Sequence, residues 1–197
     1  MQTLYEQTPG VRIVRYDNQR EAEPLLKLFE NIAQEQNWKP SNQLRAYPTS
    51  SISFGLEVDG SLSGGLQLVR NNKSEGMPCL TVWPELYPLG YNTADIALLA
   101  IKPELRGQSR LFWLLCVEMW RYCRENQIDS LWVEVTPDKL RLYRRLGWPL
   151  QIAGPLRKHW DEPCYPCCMT LDAAKNEVAS KAVKSTFYRQ IIQFSHR

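Results

Sequence analysis

The sequence predicts a mixed α/β domain, in which helices pack on a sheet, and three stretches of the 197-residue chain indicate it. Residues 96–101 form an unbroken apolar run, typical of a central strand that is covered on both faces. In residues 111–123 apolar side chains recur at helical spacing. In residues 131–135 they alternate, which is the period of a strand. Strand, helix and strand in this order favour an α/β architecture.

Before this unit, the chain predicts a strand, a helix and a hairpin. Residues 11–16 alternate between apolar and polar side chains, which indicates a short strand. Residues 21–36 carry an apolar stripe and predict an amphipathic helix, and residues 41–47 predict one further helical turn. Asp59-Gly60 between two strand-like runs, residues 51–58 and 61–69, predicts a hairpin.

Residues 71–92 lack periodicity, contain three prolines and predict a long loop. The segment is rich in apolar side chains, which must be covered by something. One interpretation is packing on the sheet. The other is one wall of an acyl or acceptor pocket, and it makes Trp83 and Tyr87 candidate substrate-binding residues.

A basic turn follows the central strand, which ends at Lys102-Pro103. Residues 106–110, Arg-Gly-Gln-Ser-Arg, are predicted to open the next helix. A helix N-terminus offers unpaired N–H groups, and two guanidinium groups beside a glycine suit a phosphate. A charged turn that only caps the helix explains the same residues. Further on, Thr136 and Pro137 predict the start of a short helix, and Gly147 predicts its end.

The C-terminal part predicts two strands and one helix. Residues 148–153 and 166–171 are the predicted strands, and His159 between them is interpreted as a surface side chain or a base. Residues 173–194 carry an apolar stripe and predict a single helix. We therefore expect a domain over residues 1–172 and a helical extension over 173–197. The extension packs on the domain or on a partner, for instance in a homodimer.

Composition excludes several classes of function. A net charge of +3 gives no argument for nucleic-acid binding, and no apolar run is long enough to span a membrane. The N-terminus lacks the features of a signal peptide, and six cysteines without one indicate reduced thiols, so we expect a cytoplasmic protein. Cys164 and Cys167 form one C-x-x-C, without a second pair of ligands. We predict no metal site there.

The strand, the PELRGQSRL turn, the long helix, the next strand and LYRRLGW together resemble the GNAT acyltransferase superfamily, most specifically over residues 94–148. The resemblance implies a GNAT-like fold with a splayed central strand pair and an extra C-terminal helix. It also implies that the turn binds coenzyme A phosphates, with Arg106, Gly107, Gln108, Ser109 and Arg110 as binding residues. Ser109 and Leu111 stand where the superfamily has small residues, so acyl carrier protein is an equally suitable donor.

The same resemblance implies site roles. Tyr143 matches the tyrosine that protonates the departing thiolate, and Asp95 lies near the acidic position that deprotonates the amine. Backbone N–H groups at Leu99 and Ile101 are the candidates for binding the donor and the oxyanion. Phe112 and Trp113 are candidates for lining a long acyl chain. No permanently bound cofactor is expected, since acyl-CoA or the phosphopantetheine of acyl carrier protein is a substrate.

The segment VTPDKLRLYRRLGW is similar to long-chain N-acyl amino acid synthases, which are related to acyl-homoserine-lactone synthases. The resemblance implies an N-acyltransferase whose acceptor is an amino acid or an ornithine or lysine side chain of a peptide natural product. Two alternatives stay open. One is an acyl-homoserine-lactone-type signal synthase, and the other is a non-catalytic GNAT-like module that binds an acyl carrier.

Overall fold

A computed structural model describes residues 2–8, 10–38 and 45–195 of the chain. The strands are β1 (Gln2–Thr8), β2 (Val11–Tyr16), β3 (Ser51–Val58), β4 (Ser61–Arg70), β5 (Thr93–Ile101), β6 (Ser130–Val135), β7 (Gln151–Ile152), β8 (Arg157–His159) and β9 (Glu162–Thr170). The helices are α1 (Glu23–Glu35), α2 (Pro78–Val82), α3 (Ser109–Glu125), α4 (Pro137–Arg145), α5 (Leu171–Lys184) and α6 (Thr186–Ser195).

The strands form a mixed sheet in the order β1-β2-β3-β4-β5-β6-β9-β7, and β8 pairs with β9 alone. Neighbours from β1 to β5 are antiparallel, as are β6 with β9 and β9 with β7. β5 and β6 are parallel, joined by α3. The predicted mixed α/β fold is therefore confirmed, and the parallel pair lies in the middle of the sheet.

β5 and β6 separate soon after they meet. Their pairing covers only Thr93 to Asp95 on β5 and Ser130 to Trp132 on β6, although both strands continue. On its other edge, β5 carries a bulge, because Gln67 is opposite Leu98 and Leu68 is opposite Ile96, so that Ala97 has no opposite residue. The predicted splayed central strand pair is thus confirmed.

Helices cover both faces of the sheet. On one face, Leu25, Leu26 and Phe29 of α1 form a core cluster with Val14 and Leu98. On the other face, the buried side of α3 packs on residues such as Phe54, Ala94 and Ile96. Alternate residues of a strand point to opposite faces, so Asp95 points away from α3.

The structure corrects several predicted elements. Strand β1 was not predicted, since pairing along the edge of β2 depends on backbone groups that leave no sequence pattern. The aperiodic stretch 71–92 contains α2 and the 3-10 turn Pro84–Leu86. Strand β9 begins at Glu162, and the 148–153 strand shortens to β7. Residues 41–44 of the predicted turn at 41–47 lie outside the described residues.

The predicted C-terminal helix is two helices. Ser185 has extended backbone angles, φ −139° and ψ 122°, and separates α5 from α6. The ring of Tyr188 on α6 lies edge-to-face with Trp113 at 5.8 Å, and its hydroxyl donates to the Leu146 carbonyl at 3.1 Å. Both helices thus pack on the same core as α3. The boundary at residue 172 and the dimer contact stay predictions. Among the described helices, none is long and apolar enough to cross a bilayer.

Candidate active site

Asp95 is the most deeply buried carboxylate of the site. It lies on β5 at the last position that pairs with β6, and its side chain is 0% exposed. The backbone N–H of Cys79, in the first turn of α2, donates to Asp95 Oδ2 at 2.9 Å. Asp95 Oδ1 takes no hydrogen bond from any described donor. The α2 segment therefore satisfies one oxygen of this carboxyl group and leaves the other available.

Glu134 on β6 brings a second carboxyl group to the same place. Trp132 is opposite Asp95 in the register, so Glu134, two residues later, points to the same face of the sheet. Ligand atoms of Cys79, Asp95 and Glu134 all lie within 4.8 Å of one another. Glu134 Oε1 is buried without a described donor, whereas the residue as a whole is partly exposed. The two acids form a pair whose carboxyl groups are both buried, and Glu134 is the residue of the pair with some exposed surface.

Burial governs the protonation of this pair. It raises the pKa of Asp95, against the opposing effect of the Cys79 N–H donor. It raises the pKa of Glu134 further, and the neighbouring charge of Asp95 adds to the effect. Burial and then Asp95 also raise the pKa of Tyr47 to about 12. Each of two buried acids this close together disfavours the ionisation of the other.

Cys79, Asp95 and Glu134 are also the described residues whose donor set suits a divalent cation best. Such a cation would need the thiol and both acids deprotonated. Burial raises the pKa of the Cys79 thiol far above its usual value, and of both acids as well. A proton shared between the two acids would also explain why they lie so close together, and it would not require deprotonation of the thiol and of both acids.

Tyr143 lies across the sheet from this pair. It is on α4, within the core cluster that α3 and the α3 side of the sheet form. Its ring stacks on Phe112 at 5.9 Å, and Trp148 lies at 5.1 Å. Burial raises the pKa of Tyr143 to about 12, which keeps the phenol protonated at neutral pH. Tyr143 and Asp95 thus lie on opposite faces of the sheet, and their roles as proton donor and base stay predictions.

The edge of β5 beyond Asp95 has no described strand partner on the β6 side, and Leu99 and Ile101 lie in this free part. Both are partly exposed. On the other side β4 approaches closely, because Gly64 lies opposite Ile101 and a Cβ there would come within 2.7 Å of the Ala100 carbonyl oxygen. The free edge is thus held in place by a close backbone contact behind it.

The basic turn differs from its prediction. Helix α3 begins at Ser109 rather than at residue 106, because Pro103 starts a 3-10 turn and Gly107 has φ +90°. Residues 106–110 are all exposed. Arg106 Nε donates to the Ile101 carbonyl at 3.0 Å, and the Ser109 N–H donates to the Gly107 carbonyl at 3.0 Å. The turn therefore caps the end of β5, and the basic side chains of Arg106 and Arg110 both remain open to solvent.

The four predicted substrate-lining residues lie in different surroundings. Trp83 is 0% exposed and its indole donates to the Pro155 carbonyl at 2.8 Å, whereas Tyr87 is 74% exposed. Phe112 is buried against Tyr143. Trp113 is buried between Trp120 and Tyr188 and borders a small cavity between α3 and α6. The structure brings Phe112 to Tyr143 and does not bring these four residues together, and their substrate roles stay predictions.

Sequence reasoning missed Glu134, Tyr47 and the role of Cys79. A glutamate between two apolar residues of a strand is expected to point to solvent. Only the register of β5 and β6 shows that Glu134 lies beside Asp95. His159 was interpreted as a surface side chain or a base. It is buried against Trp83 and Trp160, and burial lowers its pKa to about 4.

Comparisons with known proteins show the family and the fold of the chain. Residues 32–165 match the family described as N-acyl amino acid synthase FeeM. The structure of FeeM, from uncultured soil microbes, superposes with a TM-score of 0.67 at 17% identity, over 85% of this chain and 95% of that one. BjaI, a CoA-dependent acyl-homoserine lactone synthase solved with SAM and isopentyl-CoA, gives a TM-score of 0.66 at 14% identity, over 89% and 92%.

A Desulfovibrio desulfuricans protein described as an acetyltransferase of the GNAT family gives a TM-score of 0.54 at 14% identity, over 81% of this chain and 98% of that one. The sequence finds no match among curated proteins. The solved structures therefore share the fold of this chain over most of their length.

Proposed function

Since the chain belongs to the N-acyl amino acid synthase FeeM family, within the GNAT acyltransferase superfamily, we propose that it transfers a long acyl chain from a thioester to the amine of an amino acid or a related acceptor. Membership makes it an acyltransferase, and the donor and acceptor are the proposal. The observation that carries the proposal is the early separation of β5 and β6 beside a buried acid pair, with Tyr143 packed on the opposite face of the sheet.

The acceptor amine approaches from the face of Asp95. An amino group is mostly protonated at neutral pH and must lose a proton before it attacks a carbonyl carbon. Asp95 Oδ1 is buried and takes no described hydrogen bond, so it is placed to accept that proton directly or through a water. Its pKa, raised by burial, makes it a better base than an exposed aspartate.

The thioester lies along the free edge of β5, where backbone N–H groups near Leu99 and Ile101 bind the donor and the developing oxyanion. As the tetrahedral intermediate collapses, the C–S bond breaks and Tyr143 gives its phenolic proton to the sulfur. The pKa of about 12 ensures that the proton is present at the start of the reaction. Asp95 thus acts on the attacking nitrogen, and Tyr143 acts on the leaving sulfur.

The donor is proposed to be a long-chain acyl group carried by acyl carrier protein or by coenzyme A. BjaI, a structural neighbour, is CoA-dependent, which supports coenzyme A. The exposed Arg106 and Arg110 offer charge for a phosphate of either carrier. Ser109 and Leu111, in place of smaller residues, leave less room for a diphosphate than for the single phosphate of a phosphopantetheine arm.

The proposal is tested by incubating the protein with acetyl, octanoyl and palmitoyl thioesters of both carriers and a panel of amino acids and ornithine- or lysine-containing peptides. Thiol release and mass spectrometry of N-acyl products are the readouts. We expect amine-dependent thiol release and larger yields from the longer chains. Thiol release that ignores every amine, with free fatty acid as the only product, would contradict the proposal. With S-adenosylmethionine as an additional acceptor, whose thioether leaves as the lactone closes, an acyl-homoserine-lactone product would identify a signal synthase instead.

A further inference from the structure

The carboxyl groups of Asp95 and Glu134 come from the two strands that separate just beyond them. Asp95 is fully buried, the Cys79 N–H donates to its Oδ2 at 2.9 Å, and its carboxylate also interacts with the side chains of Cys79 and Glu134. Glu134 presents a buried oxygen, Oε1, that no described donor reaches, while the rest of the residue is partly exposed. Of the two residues, Glu134 is therefore the one with any exposed surface, although its carboxyl group is itself buried.

We propose that Glu134 is a positioning residue that holds one proton in contact with Asp95, keeps Asp95 ionised, and carries the proton of the acceptor amine out to solvent. This inference rests on the proposed acyl transfer and assigns to Glu134 a role in its proton transfers. It is argued from two features of the geometry: ligand atoms of the two carboxyl groups lie within 4.8 Å of one another, and Glu134 is the residue of the pair that has some exposed surface.

The surroundings of the pair favour a shared proton. The titratable groups that face it are Cys79 from α2, Tyr47 from the segment before β3, and Cys164 and Cys168 from β9, with Glu75 acting on Tyr47. All of them are acids, which are neutral or negative. A second negative charge in this place would lack a compensating partner among them, so one of the two carboxyl groups keeps its proton. Burial accordingly raises the pKa of both acids.

The protons of the reaction balance through the pair. An ammonium acceptor has one proton more than the amine that attacks, and forming the amide removes another. One of these two protons replaces the proton that Tyr143 gives to sulfur. The other passes to the Asp95 carboxylate, and Glu134 releases a proton to solvent in exchange. At the end, the C–N bond has formed, the C–S bond has broken and one proton has left the enzyme.

Two substitutions separate this role from a structural one. In Glu134→Leu, Asp95 loses a donor to its charged form, so the acidic limb of the kcat/KM profile moves up by about one to two pH units. In Glu134→Gln, the amide N–H still donates to Asp95, so the limb keeps its position. The maximal kcat/KM of this variant falls by about tenfold or more, because an amide passes no proton. The proposal would be overturned if the acidic limb of the pH profile of kcat/KM lay at the same pH in the wild type and in both variants. It would also be overturned if this limb moved as far in Glu134→Gln as in Glu134→Leu.

A measurement on the resting enzyme keeps this test separate from the proposed function. Infrared difference spectra at pH 7.5 report the carbonyl stretch of a protonated carboxylic acid, whether or not the enzyme turns over. We expect this band in the wild type and its loss in Glu134→Gln. The matched control Glu75→Gln, at a carboxylate that accepts from Ser50 and Thr49, should keep it.

Absence of the band from the wild type would refute the shared proton even if acyl transfer is observed. Presence of the band in a protein that transfers no acyl group would refute only the proposed function. Activity that is lost with a chelator and restored by a divalent cation would overturn the proposal in favour of a metal at Cys79, Asp95 and Glu134.

Discussion

The ring of Tyr143 lies almost parallel to that of Phe112, with an interplanar angle of 12° and 5.9 Å between centroids. Trp148 lies at 5.1 Å from Tyr143 and 5.4 Å from Phe112, so three aromatic rings from α3, α4 and the residue after Gly147 fix the direction of the phenol. A general acid contributes only where its proton is held at the leaving atom. The stack therefore holds the phenol in one direction, as the proposed role of Tyr143 as proton donor requires.

Tyr143→Phe removes only the hydroxyl and keeps the stack. We expect kcat to fall by about 10²–10⁴-fold while the melting temperature stays near that of the wild type. Thiol release under saturating substrate is the measurement, and Tyr91→Phe, at a tyrosine that is 63% exposed, is the control. Wild-type turnover in Tyr143→Phe would remove this residue from the mechanism.

Gly64→Ala is expected to destabilise the protein by about 1–3 kcal/mol, because overpacking forces a backbone shift. The new Cβ would come within 2.7 Å of the Ala100 carbonyl oxygen and 3.0 Å of Ile101 Cα. The same shift displaces the free edge of β5, so KM for the donor should rise. Urea unfolding measures the first effect, with Gly90→Ala as the control, since its Cβ would meet nothing closer than 3.7 Å. Equal stability of the two variants would show that β4 and β5 adjust freely.

Charge reversal at the basic turn tests the donor. Arg106→Glu with Arg110→Glu should lower the rate with acyl carrier protein by about tenfold or more at low salt, because attraction to an acidic carrier becomes repulsion. The difference should shrink towards 1 M salt, where the Debye length falls to about 3 Å. The control is Arg20→Glu, an exposed arginine before α1. If carrier use is unchanged and coenzyme A is used far better, coenzyme A is the donor.

His159 makes the fold sensitive to acid. Its pKa is 6.5 in an exposed reference and is lowered by burial to about 4 in the folded chain. Between these values the unfolded chain binds more protons, so the free energy of unfolding falls as the pH falls, and the contribution is lost below pH 4. The shift corresponds to about 3 kcal/mol at most. Urea unfolding between pH 7 and 4.5 should show this decline, and His159→Gln should flatten it.

The acid pair acts in the opposite direction. Because the folded pKa values of Asp95 and Glu134 are raised, the folded protein holds more protons than the unfolded chain above the ordinary carboxyl range. Their contribution therefore falls as the pH rises through those folded values. In the His159→Gln test, a free energy of unfolding that declines towards acid pH as steeply as in the wild type would mean that groups other than His159 cause the acid sensitivity.

The sequence predicted what regular patterns encode. The apolar run of β5 and the helical period of α3 identified the α/β unit, and Thr136 was predicted as the N-cap of α4, where its hydroxyl accepts from the Lys139 N–H. Patterns of side-chain spacing do not encode register. The position of Glu134 beside Asp95 depends on which residues of β5 and β6 are paired, and that is decided by the whole sheet.

Other misses have a different cause. The segment before β5 lacks periodicity because α2 is only one turn long and is held by tertiary contacts such as Cys79 with Asp95. The break at Ser185 carries neither glycine nor proline, so the two C-terminal helices read as one. In both places, distant contacts override the local signal.

The hydrogen bond from Trp83 to Pro155, between residues 72 positions apart, has a consequence for motion. Arg157 Nη1 also donates to the Val82 carbonyl at 2.7 Å, across 75 positions. The C-terminal end of α2, the helix that supplies the Cys79 amide, is therefore hydrogen-bonded to the start of the hairpin that β8 and β9 form. A local opening of that hairpin releases the amide from Asp95, so hydrogen exchange at Cys79 should follow the fluctuations of a remote surface hairpin. The position of the Asp95 carboxylate therefore depends on that attachment.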